Sequence, residues 1–136
     1  MTVSAPFLPF PCGTVLTVDD SPVVRRLVRA CLEAAGFEVV EAADGPAALR
    51  LLRLRPVGLV VTDINMPGMD GYRLIEAVRE ALGDAAPPVL VLSSEDAPLK
   101  AERARLAGAS GWLAKPFTSA ELLGAVERQL AAGVAG

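Results

Sequence analysis

The chain is predicted to be an α/β domain built on a five-stranded parallel sheet. Three observations predict this. Five short apolar runs alternate with five helical patterns, an order that produces crossover connections and parallel strands. The 136 residues are enough for one domain with a proper core and leave no room for a second. Four of the five runs end in a polar or charged side chain, and open α/β sheets place their ligands outside the carboxyl ends of the strands.

Residues Met1–Gly13 stand apart. Pro6, Pro9 and Pro11 block helix formation and ladder pairing, so an extended arm is expected. It lacks a basic start and an uninterrupted apolar stretch, so it does not read as a signal peptide. The domain is expected over residues 14–131, followed by a frayed tail at 132–136.

The first strand is Val15–Val18, ending in Asp19-Asp20. Ser21 and Pro22 are a good cap and first residue for a helix running to about Ala35, with Val24, Leu27, Val28, Cys31 and Ala35 on one face. Gly36 stops it. Phe37–Glu41 is the second strand, and Asp44-Gly45-Pro46 opens a helix carrying Ala48, Leu51 and Leu52 inward. Val57–Thr62 is the third strand, leading into Asp63, Asn65 and Met66-Pro67-Gly68. Asp70 caps the third helix, with Ile75, Val78 and Leu82 facing in. Val89–Leu92 is the fourth strand and runs into Ser93-Ser94. The fourth helix, about Pro98–Ala107, is the weakest, because Leu99 and Leu106 are its only large apolar residues. Gly111–Ala114 is a short fifth strand before Lys115-Pro116-Phe117. Thr118 and Glu121 have capping-box spacing, and Leu122, Val126 and Leu130 stripe the last helix.

Composition narrows the function. About half the residues are apolar (52%) and the net charge is only −3, so nothing favours a nucleic-acid partner. No apolar run approaches a membrane span, and a cytoplasmic protein is expected. Cys12 and Cys31 are too few for a disulfide framework or zinc site. With no histidine in the chain, there is no histidine base, ligand or phosphohistidine.

The chemistry collects at one rim. Asp19 and Asp20 end the first strand, Asp63 the third, Ser93 the fourth and Lys115 the fifth; only the second ends without a candidate. Carboxylates crowded to ~4 Å repel by roughly 1–4 kcal/mol per pair. Lys115 relieves part of this, and a hard divalent cation held by oxygens relieves the rest; Mg²⁺ suits such a donor set. A carboxylate beside Mg²⁺, with a lysine and a hydroxyl nearby, suits phosphoryl transfer onto the carboxylate.

Each residue alone has a plainer reading. Asp19-Asp20 could simply favour a helix N-terminus. Trp112 could be core, and Arg25, Arg26 and Arg29 a solvated face. Lys115 could be a surface lysine, although it is one of only two in an arginine-rich chain. Together those readings require five independent accidents on one rim.

Four separated segments carry a family resemblance: VDDS at Val18–Ser21, DINMPGMDG at Asp63–Gly71, LSS at Leu92–Ser94 and ASGWLAKPF at Ala109–Phe117. In order and wording they resemble the receiver domain of bacterial two-component response regulators, most closely stand-alone chemotaxis-type receivers. The match spans about Thr14 to Leu130.

The resemblance implies a doubly wound, flavodoxin-like three-layer sandwich with strand order 2-1-3-4-5. It implies that Asp63 is the phosphoacceptor. Asp20 would hold Mg²⁺, with Asp19 binding directly or through water and Asn65 offering its backbone carbonyl. Ser93 would follow the phosphoryl group, and Lys115, before a cis Pro116, would pair with it. Trp112 stands at the aromatic switch position, where Tyr or Phe is more usual. Asn65 and Glu95 occupy the two positions that tune phosphoryl lifetime.

The reading is a single-domain response regulator rather than an enzyme. A sensor histidine kinase or histidine phosphotransfer protein would donate the group. An output protein would bind the face of the fourth helix, fifth strand and fifth helix, since no effector domain follows Leu130; no membrane partner is expected. Two rivals are weighed. A haloacid-dehalogenase-type phosphatase or mutase wants a second acid two residues after its nucleophile, where this chain has Asn65. A receiver-like scaffold that is never phosphorylated would have no use for the full set of site residues.

Overall fold

The computed structural model describes residues 13–93 and 98–135. Its elements are β1 (Thr14–Val18), α1 (Pro22–Ala34), β2 (Glu38–Ala42), α2 (Gly45–Leu54), β3 (Leu59–Asp63), α3 (Gly71–Leu82), a 3-10 turn (Gly83–Ala85), β4 (Val89–Ser93), α4 (Pro98–Ala107), β5 (Gly111–Ala114) and α5 (Ser119–Ala135). The five strands are parallel in the order β2-β1-β3-β4-β5. The expected fold class and strand order are both observed. The N-terminal arm and Glu95 lie outside the described residues.

Side chains alternate across a strand, so each strand feeds two cores. Leu16, Val18, Val60, Val89 and Val91 face one layer, with Ala48 and Leu52 of α2, Ile75 and Val78 of α3, and Ala104 of α4. Val15, Val39, Leu59, Val61, Leu90 and Leu92 face the other, with Val28 and Leu32 of α1 and Leu122, Val126 and Leu130 of α5. Burial on both faces explains why the strands read as apolar runs rather than as alternating patterns.

Capping fixes where helices begin, and thereby the loops above the sheet. Ser21 Oγ accepts from Val24 N at 3.3 Å, Asp44 Oδ1 from Ala47 N at 2.9 Å and Asp70 Oδ1 from Arg73 N at 2.9 Å. Thr118 and Glu121 form the reciprocal pair, at 2.8 and 3.1 Å. Each bond satisfies an amide that the helix itself leaves unpaired.

Several expectations need correcting. The buried stripe of α1 is Val28 and Leu32; Ala35 is exposed, and Leu27 is 64% exposed. Leu27 is turned away from the sheet, beside Val24, Lys115, Pro116 and Phe117, because α5 covers only part of α1. Strand β2 starts one residue late and includes Ala42. Helix α4 buries Ala104, while Leu106 is 72% exposed. Helix α5 extends to Ala135, and alanine, the best helix former, recurs in its closing AAGVA. Among the described residues no helix is long and apolar enough to cross a membrane.

Candidate functional site

Parallel pairing brings the ends of β1 and β3 together, with Val18 opposite Thr62. Asp19 and Asp63 therefore leave the sheet side by side. Asp20 joins them, and one carboxylate oxygen from each of the three lies within 4.8 Å of the others. Asp19 is buried, Asp63 half-buried and Asp20 exposed, so the cluster runs from the core to solvent.

Asp19 is held on several sides. Its N–H donates to Ala42 O at 3.2 Å, and its Oδ1 accepts from Ser21 N at 2.9 Å. Its Oδ2 is buried with no hydrogen-bond partner. Burial pushes the Asp19 carboxyl above its usual range, although the Ser21 amide and Lys115 pull it down. Asp63 Oδ1 accepts from Ile64 N at 2.8 Å, leaving the other oxygen toward the rim.

Lys115 follows β5, which lies beyond β4 from β3. Its backbone N–H donates to Ser93 O at 2.7 Å, continuing the ladder past Ser93. From there its long side chain reaches across, and Nζ lies 3.6 Å from both Asp19 Oδ2 and Asp63 Oδ2. That distance is an ion pair but too long for a hydrogen bond. One ammonium thus faces two carboxylates of a cluster of three. A buried carboxylate oxygen without a donor, in a set of hard oxygen ligands, fits a divalent cation. The Lys115–Pro116 peptide is cis, as expected.

The loop between Asp63 and α3 is pinned from below. Gly71 N donates to Ile64 O at 2.8 Å. A Cβ on Gly71 would lie 2.4 Å from Asp63 O and 2.8 Å from Ile64 Cα, so only glycine fits. Met66 is buried, whereas Asn65 is exposed and its side chain is free of the core. Gly68 takes φ +82°, a conformation that glycine adopts without steric cost.

Ser93 is buried at the end of β4. Trp112 is partly exposed and packs against the core layer that holds α3 and α4. Beside it is an open cleft of about 440 Å³ lined by Ala101, Glu102, Ala104, Arg105 and Ala109. The strand beside it leaves no space at Gly111: a Cβ there would meet Gln129 Nε2 at 2.5 Å and Leu90 Cδ1 at 3.1 Å. Free volume therefore lies on the α4 side of Trp112, because α5 sends Gln129 across the strand.

The second strand, read as ending without a rim group, supplies Glu41. Its carboxylate takes Arg25 Nε at 3.1 Å and Arg29 Nη1 at 2.9 Å. Arg25 is correspondingly not part of a solvated face, with a side chain only 17% exposed. The available signal was position: Glu41 sits at the same end of a parallel strand as Asp19 and Asp63.

Fold and rim together define a doubly wound domain with an acid cluster, a lysine and a buried hydroxyl at the carboxyl ends of its strands. Residues 15–127 match the family model described as the response regulator receiver domain. The chain belongs to that family, which is a signalling domain of phosphorelays rather than a classical enzyme. It is 34% identical over 113 residues to Protein PilG of Pseudomonas aeruginosa, covering 83% of this chain and 84% of that protein. It is 37% identical over 109 residues to the two-component response regulator ORR11 of Oryza sativa, covering 79% and 74%. Among solved structures, Vibrio cholerae chemotaxis protein CheY4 superposes with a TM-score of 0.83 at 39% identity, covering 88% of this chain and 99% of that one. The resemblance to chemotaxis-type receivers is thereby borne out.

Proposed function

We propose that this protein is a response regulator that takes a phosphoryl group onto Asp63 from a phosphohistidine of a sensor kinase or histidine phosphotransfer protein. A carboxylate oxygen of Asp63 attacks phosphorus, the P–N bond breaks, and the donor ring, protonated on its other nitrogen, leaves as neutral imidazole. The observation that carries the reading is Lys115 Nζ at 3.6 Å from both Asp63 and the orphaned oxygen of Asp19. That arrangement puts a cation where negative charge would accumulate on the transferred oxygens.

Asp20, Asp63 and the backbone carbonyl of Asn65 would hold Mg²⁺, with Asp19 binding directly or through water. When bound, Mg²⁺ offsets carboxylate repulsion and the charge of the phosphoryl oxygens. Lys115 holds one of those oxygens and Ser93 another. By the family resemblance, Asn65 and Glu95 would set how long the group survives. Under this reading the protein works in the cytoplasm. Acetyl phosphate with Mg²⁺ should add one labile phosphoryl group per chain. A chain that gains none is a scaffold, and one that turns over other phosphate esters is an enzyme of the rival class.

The output partner binds the α4–β5–α5 face, and Trp112 is the reporter within it. The cleft on the α4 side gives the indole somewhere to turn. Burying most of the ring contributes on the order of 1–3 kcal/mol, less whatever the indole N–H loses without an acceptor. Beryllofluoride with Mg²⁺, which mimics the phosphoryl group, should shift Trp112 emission to shorter wavelength and reduce acrylamide quenching. Confirmed beryllofluoride binding with neither change would place the switch elsewhere.

A further inference from the structure

We infer that Arg25, with Glu41 as its counter-ion, is a positioning residue that fixes the Asp19–Asp20 turn for cation binding. The inference rests on the proposed Mg²⁺ site and concerns two residues outside its ligand set.

Arg25 lies one turn into α1, and its side chain folds back under the start of the helix. Nη1 donates to the backbone carbonyl of Asp19 at 2.6 Å. Nε donates to Glu41 Oε1 at 3.1 Å. A planar guanidinium can satisfy both acceptors with one rigid fork, which a lysine ammonium on a flexible stem cannot. The side chains are 17% and 23% exposed, so water screens the pair only partly. Arg29 Nη1 holds the other oxygen of Glu41 at 2.9 Å, fixing the carboxylate from both sides.

With Arg25 in place, every polar group of Asp19 but one is anchored. Its N–H goes to Ala42, its C=O to Arg25 and Oδ1 to the Ser21 amide. The remaining oxygen, Oδ2, is the buried one that faces Lys115 without a hydrogen bond. Rotation of the 19–20 peptide is blocked by the Arg25 bond to its oxygen. That peptide also sets where the exposed carboxylate of Asp20 points.

Glu41 has a second part. A bare guanidinium behind the acid cluster would repel an incoming cation. The paired carboxylate cancels that field while leaving the hydrogen-bond fork intact. Arg29, with Arg25 adding to it, holds the Glu41 carboxyl below its usual range, so this cancellation persists through mildly acidic pH. Partners of this kind, outside the ligands themselves, typically change metal affinity by 10–100-fold.

The test uses Mn²⁺ as the probe, titrated into the full chain and read by the loss of its free electron-spin signal. Arg25→Met, close in length and without donors, should weaken Mn²⁺ binding by about tenfold. Glu41→Gln keeps an acceptor for Nε but removes the counter-charge, and should weaken binding by about threefold. Melting without metal is measured alongside, since a merely structural tie would lower the melting temperature and leave the affinity of the folded chain alone. Unchanged Mn²⁺ affinity in folded Arg25→Met overturns the inference. If that variant does not fold, unchanged affinity in Glu41→Gln overturns it instead. Unchanged variants beside a wild type that binds Mn²⁺ and is labelled by acetyl phosphate leave the phosphoacceptor reading standing. A wild type that binds no Mn²⁺ and takes no label removes both.

Discussion

Asp63→Asn should abolish labelling by acetyl phosphate in the presence of Mg²⁺, with no residual phosphoryl group at position 63. The amide is nearly isosteric, and its oxygen can still accept from Ile64 N, as Asp63 Oδ1 does at 2.8 Å. What disappears is the anionic nucleophile: a neutral amide oxygen does not displace a leaving group from phosphorus at a useful rate. The substitution also removes one of three carboxylates that approach within 4.8 Å of each other. The metal-free variant should therefore melt no lower than wild type, since less repulsion stands against folding. Lys115 keeps its other partner, Asp19, at 3.6 Å. Intact-mass measurement after acetyl phosphate treatment, together with a melting curve in chelator, checks both halves. Undiminished labelling at the same position would refute Asp63 as the acceptor; a large fall in melting temperature would mean that its charge is structurally needed.

Gly71→Ala should have the largest effect on stability of any single methyl added near the site. The added carbon would stand 2.4 Å from the backbone oxygen of Asp63, 2.8 Å from Ile64 Cα and 3.0 Å from Ile64 Cδ1. Two of those neighbours are backbone, which cannot swing away as a flexible side chain can. Either the loop lifts, breaking the Gly71 N to Ile64 O bond at 2.8 Å, or the end of β3 shifts. Overpacking of this kind costs about 3 kcal/mol, near the upper end of its usual range. For a chain of this size that is a fall of roughly 10 °C in melting temperature. Because the contact is with Asp63 itself, the variant should also take up phosphoryl more slowly than wild type at a temperature where both are folded. Gly36→Ala is the comparison: that glycine has φ +97° but nothing within 4 Å of the added carbon, so its cost is backbone strain alone. Equal melting of Gly71→Ala and wild type would show that the loop is looser than its contacts require.

The legible parts of this fold were those written in local chemistry. Ser21, Asp44, Asp70 and the Thr118–Glu121 pair announced helix starts because a cap acts within three residues. Strands were visible as apolar runs because both faces of the sheet are covered. Site residues could be named because a carboxylate or lysine at the end of an apolar run has little structural use there. Helix faces were less legible. Leu27 looked like core from its spacing, yet only the placement of α5 decides which side of α1 is covered, and Leu27 is left 64% exposed. Nor does any local pattern show what lies beside Gly111: a glutamine eighteen positions along fills that space, a contact set by how α5 lies across β5.

By itself the sequence determined the element order, the helix caps and the identity of the acid, lysine and hydroxyl groups at the strand ends, since these depend on neighbours a few residues apart. Tertiary structure alone decided how those groups meet. It set Lys115 equally far from Asp19 and Asp63, left Asp19 Oδ2 buried without a donor, and brought Glu41 through Arg25 to the carbonyl of Asp19. The reason is that these contacts join residues far apart in the chain. Strand order and helix docking, settled by burial of apolar area across the whole sheet, fix such distances, and no local pattern encodes them.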